Sequence, residues 1–126
     1  PALGDHFRTC MKQRGDVLAK GWLMGLQFYT LFQNGLYFDL ARKADRQAME
    51  IKAAFQKAGI PLWVDSPTNQ QFAVVSREQE AALAKDFIFE LSHAVDEGHN
   101  CIRFCTSWST RDEEVAALIE AIGRLN

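Results

Sequence analysis

A chain of 126 residues, 48% hydrophobic and 24% charged, has the size and composition of one globular domain with a single core. Its net charge of −2 supplies no basic field, which argues against nucleic acid as a partner. No run approaches the roughly 20 apolar residues of a membrane span, and no basic-then-apolar leader opens the chain, so no membrane partner is expected. The opening PALGDHF lacks a methionine, which suggests processing or a piece of something longer. The three cysteines, Cys10, Cys101 and Cys105, show no metal spacing. Cys101 and Cys105 stand four apart on an expected strand, too far to bridge, so reduced thiols and a cytoplasmic location are the simplest expectation.

In chain order, Asp5, His6, Phe7 and Arg8 can begin a helical turn. Lys12 and Arg14 then set two cations beside Gly15, just ahead of a long apolar run. The plain reading is a solvated entry to a helix; the functional one is a grip on a phosphate or carboxylate. Asp16 is a plausible N-cap for a helix over 17–32. The apolar residues of that stretch, from Val17 and Leu18 through Trp22, Phe28 and Phe32, cover most of the helix circumference. A helix apolar all round is a buried helix. A domain of this size has few places to cover one on every side, so part of the cover is expected from outside this chain, from a partner subunit or a missing domain. The polar face is too narrow and too little basic for a helix lying on a membrane.

Asn34-Gly35 breaks the pattern. Leu36, Leu40, Ala44, Ala48, Ile51 and Phe55 follow steps of three and four and predict an amphipathic helix over 36–58, stopped by Gly59 with Pro61 beyond it. Thereafter the pattern predicts a short strand over 62–64, a loop over 65–69 and a strand over 70–75. Ser76 with Gln79 forms a capping-box pattern opening a short helix to about Lys85. Strands over 87–91 and 101–106 flank a turn over 96–100. Thr110 with Glu113 repeats the capping-box pattern before a last helix whose core face is Val115, Leu118, Ile119, Ile122 and Leu125. The fold class that follows is α+β: long N-terminal helices, then a small three- to four-stranded, mostly antiparallel sheet with helices on one face.

The segment CIRFCTSWST, residues 101–110, carries the most informative charge. Alternation along the strand puts Arg103 on one face with Cys101 and Cys105. A guanidinium cannot shed its charge, and its planar fork fits a carboxylate in two parallel hydrogen bonds. Two anions can answer it: an Asp or Glu elsewhere in the chain, the commoner case, or a carboxylate arriving on a substrate. The other chemistry is sparse. His6, His93 and His99 lie far apart without a metal spacing, and no glycine-rich phosphate loop follows a strand.

Three stretches together, MKQRGDVLAKGWLMGLQF (11–28), VDSPTNQQF (64–72) and CIRFCTSWST, resemble the C-terminal part of the threonine aldolase and β-eliminating lyase family, whose members are pyridoxal-phosphate (PLP) enzymes of fold type I. The resemblance runs over nearly the whole chain, in order and with the right spacing. It implies retro-aldol cleavage of a β-hydroxy-α-amino acid, threonine giving glycine and acetaldehyde, with PLP drawing off the electrons released at Cα. It implies that Arg103 holds the substrate's α-carboxylate. It also implies a cofactor-phosphate contact from Lys12, where many members carry arginine, with Arg14 as second choice. Trp22 stands where many relatives have a basic residue. Asn69, Gln70 and Gln71 match a loop-to-strand motif with no assigned role. Residues 1–35 become a segment that packs on the missing large domain or a partner subunit of a homo-oligomer, and 36–126 the small C-terminal α+β domain. None of Lys12, Lys20, Lys43, Lys52, Lys57 and Lys85 stands in the family's Schiff-base lysine motif, so the chain is expected to be one part of an enzyme, incompetent alone. The alternatives are a β-eliminating lyase, a member acting on a bulkier hydroxy-amino acid, and a non-catalytic α+β module that dimerises through 17–32.

Overall fold

The computed structural model describes residues 4–125; residues 1–3 and 126, the outer ends of the two expected segments, lie outside the described residues. The chain divides into two compact units, Pro1–Tyr37 and Phe38–Asn126. Its elements are α1 (Phe7–Gln13), α2 (Trp22–Phe32), a 3-10 turn (Gln33–Gly35), α3 (Leu36–Lys57), β1 (Gln70–Ser76), α4 (Arg77–Leu83), β2 (Glu90–Ala94), β3 (His99–Cys105) and α5 (Asp112–Gly123). The fold class is α+β with a three-stranded antiparallel sheet, as the sequence predicts.

In the first unit, α1 ends in a Schellman motif. Gly15 takes φ +76°, its N–H donates to the Lys12 carbonyl, and the Asp16 N–H donates to the Met11 carbonyl. Asp16 is therefore the tail of α1 and not the N-cap of the next helix. The chain turns once more, Gly21 N–H to Leu18 carbonyl, before α2 starts at Trp22, five residues later than expected. No residue of α2 is buried within this chain; Trp22, Phe28 and Tyr29 are each more than 60% exposed. Asn34 and Gly35, both at positive φ, make the predicted break.

In the second unit, α3 buries Ala44, Gln47, Ala48, Ile51 and Phe55, so the expected stripe is covered from Ala44 onward. It too closes with a Schellman motif, Gly59 at φ +70° and the N–H of buried Ile60 donating to the Phe55 carbonyl. The strand order is β1-β3-β2. On β1, Gln71, Ala73 and Val75 turn inward, facing Phe104, Ile102 and Asn100 across the ladder. That face packs on Ile51 and Phe55 of α3, Leu83 of α4, and Val115, Leu118 and Ile122 of α5, so the helices share one side of the sheet. Phe104 lies at its centre, with ring centroids 5.9 Å from Phe55 and 5.4 Å from Phe89.

Three boundaries differ from the sequence reading. Over 62–64 there is only a bridge, Leu62 to Ala73, because Pro61 has no N–H to extend the ladder and the chain turns at once through Ser66 N–H to Val64 carbonyl. The strand expected over 87–91 is instead β2 at Glu90–Ala94. Asp86 and Phe87 still donate to the Leu83 carbonyl at the end of α4, and Phe87 and Phe89 serve the core as plugs. The last helix is capped one residue later than expected. The Thr110 hydroxyl accepts the Ser107 N–H and its carbonyl accepts Lys43 and Gln47 side chains, so Arg111 takes the N-cap place and its N–H donates to Glu114. The Ser76–Gln79 capping box forms as read, with both reciprocal bonds present.

Candidate carboxylate-binding site

Arg103 sits in the middle of β3, the strand hydrogen-bonded on both sides. Its neighbours Ile102 and Phe104 point into the core, so Arg103 is turned to the face that carries no helix of the core cluster. In register it stands opposite Phe72 on β1 and Glu90 on β2. Its side chain is 32% exposed. One terminal nitrogen donates to the Gln70 side-chain carbonyl at 3.1 Å, and the other pairs with the Glu90 carboxylate. A carboxylate of the chain thus lies on the guanidinium, the first of the two anions considered above. Glu90 is 69% exposed, and a pair so open to water contributes at most about 1 kcal/mol. It is not a lock.

Gln70 and Glu90 are the two site residues that sequence reasoning did not connect to Arg103. They lie 33 and 13 residues away, and only the strand register brings them onto one face. The motif around Gln70 now has physical roles. The Asn69 side chain donates to the Thr106 carbonyl at 2.7 Å while its own carbonyl accepts the Thr106 N–H, tying the start of β1 to the end of β3. Gln71, turned inward and buried, donates to the Thr68 carbonyl at 2.9 Å and holds the preceding loop. Gln70, between them and turned outward, accepts from Arg103. Asn69 and Gln70 therefore tie β1 to the end of β3 and steady the guanidinium, while Gln71 fixes the loop leading into β1.

Further along the same face, Cys101 stands opposite His93, whose ring meets Trp63 edge-on at 4.6 Å. Cys101 is fully buried, and burial pushes its thiol pKa up, against a smaller lowering from a hydrogen bond with Ser92. Cys105, at the strand end, is exposed; all three cysteines are free thiols. Among the described residues no cluster of His, Cys, Asp or Glu could hold a metal ion. His99 is engaged with the Asp96 carboxylate at 3.0 Å, and that bond, with the Gly98 N–H, lowers the Asp96 pKa.

No family model matches the chain, and no curated protein sequence does. Among solved structures, threonine aldolase of Leishmania major superposes with a TM-score of 0.91 at 35% identity, over 98% of this chain. The chain is a threonine-aldolase-like segment. It spans 36% of the length of the Leishmania protein. Two more distant structures share the fold: a Sphingomonas wittichii serine palmitoyltransferase (TM-score 0.54, 12% identity, 68% of this chain and 24% of that one) and SPT with a PLP internal aldimine (TM-score 0.51, 10% identity, 64% and 22%). The architecture is thus that of a small C-terminal domain of a fold type I enzyme.

The two cations proposed for the phosphate lie in the first unit of this threonine-aldolase-like chain. Lys12 is in the last turn of α1 and Arg14 at its C-cap, both exposed. The backbone amides beside them are all engaged, Arg14 with Cys10, Gly15 with Lys12 and Asp16 with Met11 carbonyls. Cations at a helix C-terminus also complement its dipole, a structural role sufficient in itself. A phosphate at this place would meet two cationic side chains, the Arg14, Gly15 and Asp16 amides being already engaged. No helix among the described residues is long and apolar enough to cross a membrane.

Proposed function

We propose that this chain is the carboxylate-reading part of a PLP-dependent aldolase or lyase that cleaves β-hydroxy-α-amino acids, threonine to glycine and acetaldehyde being the reference reaction. The observation that carries the reading is Arg103. A permanently charged fork, about one-third exposed on the sheet face turned away from the core helices, is steadied by a neutral amide from Gln70 and met by one open carboxylate. The 35% identity to a threonine aldolase over nearly the whole chain supports the reaction class. PLP, when bound, would take up the electrons released at Cα. Arg103 would bind the α-carboxylate and thereby fix which substituent at Cα faces the reacting bond. Lys12, and Arg14 after it, would add charge near the cofactor phosphate, with the remaining contacts from outside this chain. The exposed apolar helix α2 supports a segment 1–35 that packs on the large domain or a neighbouring subunit of a homo-oligomer. A cytoplasmic enzyme suits the free thiols.

The test is amino-acid binding by the complete enzyme containing this segment. Arg103→Ala should weaken binding of the substrate amino acid by roughly 2–5 kcal/mol where the pair is desolvated. Unchanged binding would remove Arg103 from the site.

A further inference from the structure

We infer that Glu90 is a displaceable stand-in for the carboxylate ligand of Arg103, and so sets how tightly that site binds carboxylates. The inference rests on the reading of Arg103 given above and adds to it a residue that acts through Arg103.

The two groups on the guanidinium differ in kind. Gln70 is neutral, half-buried, and belongs to β1, which pairs with β3 in unbroken register from Gln70 to Ser76. Its amide oxygen satisfies one terminal nitrogen without offsetting the guanidinium charge, and the Glu90 carboxylate is on the other nitrogen. Glu90 is charged, 69% exposed, and opens β2, an edge strand whose register with β3 is broken between Leu91 and His93. It stands directly opposite Arg103, the position from which an opposite charge acts most strongly across a ladder. It offers the same functional group as an amino acid's α-carboxylate, to the same donor. An incoming carboxylate therefore meets an arginine already partly neutralised and must displace Glu90 or share the fork with it. Because Glu90 is well hydrated in either position, its release costs little, while Gln70 keeps Arg103 in place throughout. Glu90 is a positioning residue that holds the fork extended at rest and lowers the affinity for carboxylates.

The experiment uses the complete enzyme containing this segment with acetate as the probe, titrated at constant ionic strength against chloride. The readout is the Arg103 side-chain Nε–Hε resonance, assigned by its loss in Arg103→Gln, together with backbone amide shifts over β3. Glu90→Gln keeps size and an acceptor oxygen while removing the charge. It should tighten acetate binding about fivefold, the equivalent of an exposed pair worth about 1 kcal/mol. Glu90→Ala, which cannot make a substitute hydrogen bond, should tighten it at least as much. Equal affinities in wild type and both Glu90 variants, with binding lost in Arg103→Gln, would overturn the role of Glu90 and leave Arg103 as the carboxylate site. A response that persists in Arg103→Gln, or is absent from every variant, would overturn the reading of Arg103 and this inference with it.

Discussion

Replacing Phe104 by alanine tests the two-faced sheet on which the site depends. Phe104 is 7% exposed and touches Phe55 and Phe89 with ring centroids under 6 Å. Truncating a buried phenylalanine costs roughly 3–5 kcal/mol, from lost transfer energy and the cavity left behind. A domain of this size is stable by only about 5–15 kcal/mol, so Phe104→Ala should remove roughly a fifth of the total at the least. Phe72 lies on the opposite face of the sheet from the core, across the ladder from Arg103, and is only half-buried. Phe72→Ala should cost about half of the roughly 1.5–3 kcal/mol that full burial of such a side chain contributes. Urea unfolding of the two variants reads the difference. With a slope near 2 kcal/mol per molar, the midpoint should fall by about 2 M for Phe104→Ala and well under 1 M for Phe72→Ala, with the slope unchanged. Comparable losses in both, or a loss below about 1 kcal/mol for Phe104→Ala, would mean that the core is not on the face assigned here, and Arg103 would then not face outward.

Other expectations follow from single residues. Gly59→Ala meets no neighbour within 4 Å but forces an L-residue to φ +70°, so it should lose about 1–2 kcal/mol, seen as a lower melting temperature. Asp112 accepts from the buried Gln47 side chain and from Arg46, which hold its carboxyl below the usual carboxylate range. A depressed native pKa stabilises the fold above the unfolded value, and that stabilisation disappears as pH falls through the native one; Asp112→Asn should therefore flatten the acid limb of a stability–pH curve, and an unchanged limb would contradict the assignment. A thiol reagent should label Cys10 and Cys105 of the native chain quickly and Cys101 only on unfolding, three equally fast thiols being the contrary result.

What was legible in the sequence was local. The alternation from Gln70 to Val75, the Ser76–Gln79 capping box and Gly59 before Pro61 each depend on residues within a turn or a strand of one another, and each appears as read. The misplacements share a cause, a residue drawn away by a distant partner. Thr110 looks like an N-cap until Lys43 and Gln47, more than 60 residues earlier, claim its carbonyl. Phe87 and Phe89 look like strand residues until they are seen filling the core beside Phe104. Asp16 looks like the start of a helix because the Schellman bond to Met11 leaves no mark beyond Gly15 itself. The same limit applies to the site. Arg103 stands out as a charge in an apolar strand, but its partners Gln70 and Glu90 are set by register across two strand pairs, which no spacing along the chain reveals.

The central claim is that Arg103 reads a carboxylate, and the most direct measurement compares two ligands in the complete enzyme. Glycine and 2-aminoethanol share an amine and differ in the carboxylate. If Arg103 grips that carboxylate, Arg103→Ala should weaken glycine binding by the roughly 2–5 kcal/mol expected for a desolvated charge pair and leave 2-aminoethanol binding unchanged, erasing the discrimination between them. Equal losses for both ligands, or none for either, would show that Arg103 shapes the sheet and does not touch the substrate.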